Sequence, residues 1–83
     1  MAVSFAGIGH VSFTGNDGPG AISVPGLKVG DRVVWEMIGI VPPSYTPPGS
    51  SFEAVISVDD EIQQLSGHLS AYTCEVLFVR GVA

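Results

Sequence analysis

The side chains able to do chemistry are few and scattered. His10 and His68 are the only imidazoles. His10 precedes Val11 and Phe13 in an alternating pattern, so a strand there turns it to the polar face. His68 follows Gly67 in a turn signal. Cys74, the single cysteine, lies in an apolar alternating run without the cationic neighbours that activate a thiol, and it reads as a small buried hydrophobe. One cysteine also excludes an intrachain disulfide and a cysteine-rich zinc site. Asp59-Asp60-Glu61 is the only acidic cluster. Calcium needs six to eight oxygens, whereas consecutive carboxylates point apart, so these acids read as a solvated turn or a helix cap. Serines and acids are plentiful, yet no Gly-x-Ser-x-Gly elbow holds a nucleophile. Residues 15–20 are glycine-rich but bring neither a lysine nor a helix N-terminus to a phosphate. The expectation is a protein that is not an enzyme and carries no cofactor and no metal.

Composition points to assembly. The chain has 83 residues, 46% apolar and only 13% charged, about half the roughly 25% charge of ordinary soluble domains. A domain this short buries only about 60% of its unfolded surface. It is read as one β domain, residues 1–83. Lys28, Arg32 and Arg80 face eight acids, for a net charge of −5. That balance argues against nucleic acid, whose backbone is bound by clustered cations. No apolar run reaches the 18 or so residues of a membrane span, and the first residues lack the basic and apolar regions of a signal peptide.

Eleven glycines and six prolines exclude a helical bundle, and alternation of apolar and polar residues predicts strands. Val3-Ser4-Phe5-Ala6-Gly7 recurs as Val11-Ser12-Phe13-Thr14-Gly15 and predicts two short strands. The turn signal at 15–20 predicts a hairpin between 11–14 and 21–24. Lys28-Val29-Gly30-Asp31 predicts a tight turn. Residues 32–41 are apolar on both faces: Val33, Trp35, Met37 and Val41 against Val34, Ile38 and Ile40, with Glu36 the one charge. Such a strand is either central or covered by another chain. Residues 51–59 form the cleanest alternating strand, and residues 59–66 leave room for one short helical turn. The last strand, 71–80, places Tyr72, Cys74, Val76 and Phe78 on one face. The fold expected is all-β, a small antiparallel sandwich or barrel of about six strands. Trp35, Val33, Met37, Ile38 and Phe78 are expected in its core or at an oligomer interface.

Between Pro42-Pro43 and Pro47-Pro48, the segment Ser44-Tyr45-Thr46 reads as a stiff, extended loop. An aromatic on such a loop loses little entropy on docking. Tyr45, with Pro43 and Pro47, is therefore the candidate partner contact; the alternative is a loop that merely packs over the sheet edge or against a neighbouring subunit.

Residues 26–81 resemble the small β-rich structural proteins of tailed bacteriophages. The resemblance rests on Gly30-Asp31-Arg32-Val33-Val34 entering a strand, Ser51-Phe52-Glu53-Ala54-Val55-Ile56-Ser57-Val58-Asp59, Ile62-Gln63-Gln64, and a last strand ending Val79-Arg80-Gly81. It implies a head-decoration, head-fibre or tail-fibre module, a homo-oligomer of the trimeric kind, assembled in the bacterial cytoplasm and resident on the virion. Its implied partners are its own copies, other virion proteins or a host-surface receptor. The alternative expectation is a carbohydrate- or cell-surface-binding β module, for which Tyr45, Trp35 and Tyr72 supply rings.

Overall fold

A computed structural model describes residues 5–40 and 42–81. They form six strands in chain order: β1 (Phe5–Thr14), β2 (Gly20–Ser23), β3 (Arg32–Ile38), β4 (Ser44–Thr46), β5 (Glu61–Gln64) and β6 (Thr73–Gly81). Every pairing is antiparallel. One sheet runs β1-β6-β3-β4, the other β2-β5, and the two pack as a small β-sandwich. No helix occurs among the described residues.

The core sits between the sheets. Phe13, Val33, Ile38, Cys74, Val76 and Phe78 come from the larger one. Ile22, Ile62, Val24, Leu27, Phe52 and Ile56 come from the smaller sheet and the segments beside it. Phe13 and Phe52 meet edge to face at 5.0 Å, joining the layers. As expected, β6 alternates Cys74, Val76 and Phe78 inward, although Tyr72, expected on the same face, precedes the strand and is exposed; residues 28–31 close a turn through Asp31 N–H to the Lys28 carbonyl at 3.0 Å.

Several local expectations are corrected. The two Val-Ser-Phe copies do not make two strands: Phe5 to Thr14 is one strand, and Val3 and Ser4 lie outside the described residues. The hairpin between 11–14 and 21–24 does not form. β1 pairs with β6 and β2 with β5, so residues 15–20 carry the chain from one sheet to the other. The expected helical turn at 59–66 is β5, because Ile62 and Gln64 alternate inward and Asp60, at a left-handed φ of 61°, turns the chain into the strand. Residues 51–59 form only isolated bridges, although Phe52 and Ile56 are buried. The proline-flanked segment is not merely a loop: Ser44–Thr46 pairs with β3.

The largest correction concerns β3. Its register on β6 shifts between Val33 and Trp35, where one extra residue is accommodated. Uninterrupted alternation would put Trp35 on the face of Val33. The bulge instead turns Val33, Glu36 and Ile38 inward and leaves Val34 and Trp35 exposed. Trp35 therefore lies outside the core of the chain, and Glu36 lies inside it. Val41 lies outside the described residues.

Candidate functional site

The bulge in β3 creates the most unusual surface of the molecule. Trp35 emerges on the outer face of the larger sheet, opposite Leu77 of β6. On the neighbouring strand Tyr45 emerges on the same face, opposite Met37. The two rings stack with centroids 4.7 Å apart and planes 6° from parallel. Both remain open to solvent, Trp35 at 46% and Tyr45 at 55% of full exposure. Parallel offset rings are worth roughly 0.5–1.5 kcal/mol beyond area burial, so the pair is a preformed feature.

Buried Glu36 fixes this pair from beneath. Its carboxylate is fully enclosed and accepts four hydrogen bonds. Oε1 receives the Thr46 hydroxyl and the Ser51 N–H, both at 3.0 Å. Oε2 receives the N–H groups of Gly49 at 3.1 Å and Phe52 at 3.3 Å. A buried carboxylate is stable only when so paired. Here it ties β4 and residues 49–52 to the middle of β3. Backbone pairing of Met37 with Tyr45 then sets Tyr45 beside Trp35. Pro43 and Pro47 flank β4 and are exposed.

Tyr45 thus shares one surface with Trp35, which its apolar strand assigns to core or interface, and the exposed Pro43 and Pro47 flank it in sequence. Met37 is half-buried on that surface. Val33, Ile38 and Phe78 are not part of it and lie in the core. The role of Glu36 escaped sequence reasoning, although a signal was present. A lone acid within the most apolar run must find donors, and Gly49, Ser50 and Ser51 after a proline pair offer free N–H groups.

The rest of the outer face is mixed. His10 Nε2 meets Glu75 Oε2 at 3.0 Å, and the Ser12 hydroxyl donates to Glu75 Oε1 at 3.2 Å. The His10 hydrogen bond, helped by Ser12, holds the Glu75 carboxyl below its ordinary range. Arg80, one of three firm cations, is committed to Asp31. Its Nε donates to Oδ1 at 2.8 Å and its Nη2 to Oδ2 at 2.7 Å.

Other reactive groups serve the fold. Asp59 Oδ1 accepts the Val29 N–H at 2.9 Å, and Asp60 Oδ1 accepts the Gly26 N–H at 2.8 Å. These acids secure the 26–30 turn. Burial pushes the Cys74 thiol above its ordinary pKa, the opposite of activation. His68 pairs with Asp17 at 3.2 Å on the surface. Among the described residues no three His, Cys, Asp or Glu side chains gather as a ligand set. No family model, curated protein or solved structure matches this chain.

Proposed function

We propose that this chain is a non-catalytic structural module of a tailed-phage particle, working as a homo-oligomer and attaching to its partner through the outer face around Trp35 and Tyr45. The carrying observation is the exposed stack itself. A small domain short of charge stabilises two large rings in one orientation on its surface, with a buried carboxylate holding the strand beneath. Aromatic anchors held in a fixed geometry are the usual energetic centre of a protein interface. Val34 and Leu77 extend the apolar surface beside them. The virion assignment draws on the phage-like stretches of sequence given above, and the scarcity of charge agrees with a surface meant to be covered.

The stack favours protein over sugar. Trp35 and Tyr45 spend one ring face each on the other, whereas a saccharide platform needs open faces. Glycan binding is the outcome that would displace this reading. The test mixes purified chain with purified particles of the phage that encodes it and sediments them. Co-sedimentation that Tyr45→Ala abolishes without lowering the melting temperature supports the reading. Equal sedimentation of the variant, or none by the wild type, overturns it.

A further inference from the structure

The edges of the two sheets are treated very differently. β4 is three residues long and lies between two proline pairs. The outer edge of β5 is covered by residues 51–53 through Glu53 N–H to Gln63 at 3.0 Å and Leu65 N–H to the Ser51 carbonyl at 2.7 Å. β2 is four residues long, and the Asn16 side chain caps its Ala21 carbonyl at 3.2 Å. Short strands, prolines and covering segments are the devices that keep sheet edges from pairing. Among the described residues, β1 has none of them. It is ten residues long, has β6 on one side only, and carries no Pro, Lys, Arg, Asp or Glu.

The register shows which groups this edge offers. Gly15 N–H bonds to the Tyr72 carbonyl at 3.2 Å, continuing the β1–β6 ladder. Hydrogen-bonded pairs alternate in an antiparallel ladder, so the odd residues of β1 bond to β6. The N–H and C=O groups of Ile8, His10 and Ser12 therefore point away from the sheet. The register slips between Phe5 and Gly7, which leaves residues 7–14 as the regular stretch. His10 lies near its centre, the middle one of Ile8, His10 and Ser12.

We infer that β1 pairs with β1 of a second copy of this chain, antiparallel about a two-fold axis at His10, joining two four-stranded sheets into one of eight. That axis sets Ile8 opposite the partner's Ser12 and forms about six backbone hydrogen bonds. It also matches the inner face to itself. Gly9 has no side chain, and the Phe78 ring lies across it: a Cβ there would meet the ring at 2.2 Å. Gly7 opens onto empty space on the same side. The two-fold puts the other copy's Val11 beside Gly9 and its Phe13 beside Gly7. Large residues thus face glycines on both sides of the axis. A self-complementary edge of this kind selects a second copy, since residue i meets j and j meets i.

This inference deepens the assembly reading by naming the self-contact, and the two fail separately. The full chain should sediment at twice its 8.6 kDa mass at micromolar concentration. Ile8→Lys places a charge at the edge. Ser12→Pro removes an outward N–H and the exposed hydroxyl bonded to Glu75, so neither variant breaks the backbone ladder to β6. Both should run as monomers with an unchanged circular dichroism spectrum. His10→Cys should form an interchain disulfide under mild oxidation, since paired Cα atoms about 5.5 Å apart suit the bond. Ala21→Cys, on the exposed surface of β2, should not. A monomeric wild type, a dimer that survives Ile8→Lys, or a trimer lacking the His10→Cys link overturns the edge pairing. A wild-type chain that dimerises but does not sediment with particles would instead overturn the attachment reading alone.

Discussion

Glu36 shows how one side chain can govern a surface it does not touch. Replacing it with Ala strands the N–H groups of Gly49, Ser51 and Phe52 and the Thr46 hydroxyl. A single unsatisfied buried group costs about 1–3 kcal/mol. Glu36→Ala should therefore lose about 3 kcal/mol or more in urea unfolding, and Glu36→Gln should recover only part, because its amide presents donors to donors. A loss below about 1 kcal/mol would mean that water replaces the carboxylate and that the loop is not pinned. Asp31 gives a second test at this scale. The Arg80 hydrogen bonds hold its carboxyl below 3.8. A depressed folded pKa contributes stability that is complete above the unfolded value and lost as pH falls through the folded one. Acid unfolding below about pH 4 should thus be less steep in Asp31→Asn, measured by circular dichroism against pH. An unchanged acid limb would remove Asp31 from the account.

At the scale of elements, alternation was readable wherever strands are regular. β6 follows it residue by residue, and the all-β class followed from the glycine and proline content and from that alternation. Pairing was not readable. The strong turn residues at 15–20 suggested a local hairpin, but β1 and β6 pair at nine positions, and that longer register prevails. β5 was hidden because its polar sequence gives little periodicity. The β3 bulge was hidden because Val34 and Trp35 are both apolar, so no polar residue marked the slip. The surface expected around Tyr45 was half legible: the prolines pointed to it, but nothing pointed to Trp35 as its neighbour. The bulge yields a sharp expectation. Deleting Val34 joins two stretches of β3 that already face correctly, so the variant should fold with a melting temperature within about 8 °C of the parent, the shift expected for about 1 kcal/mol. Deleting Met37, in the regular part, inverts every residue on one side and should abolish folding. An unfolded Val34 deletion would contradict the register.

For the whole molecule, the balance of core and surface explains why assembly is the natural reading. The core is built from a four-stranded and a two-stranded layer, while Ile8, Val34, Trp35 and Tyr45 remain outside it, with Ile8 at 72% exposure. Two surfaces share this apolar excess, and they lie apart on the larger sheet: the β1 edge, proposed to join copies, and the Trp35–Tyr45 face at its opposite end, proposed to meet the particle. Because both rings are exposed, the double variant Trp35→Ser, Tyr45→Ser should lose no more than about 2 kcal/mol and should remain a dimer. The most direct measurement is co-sedimentation of purified chain with virions of the phage proposed to carry it, wild type beside that double variant, with melting curves taken on the same samples. Wild type should appear in the particle pellet and the folded double variant in the supernatant. Both proteins in the pellet, or both in the supernatant, would contradict it.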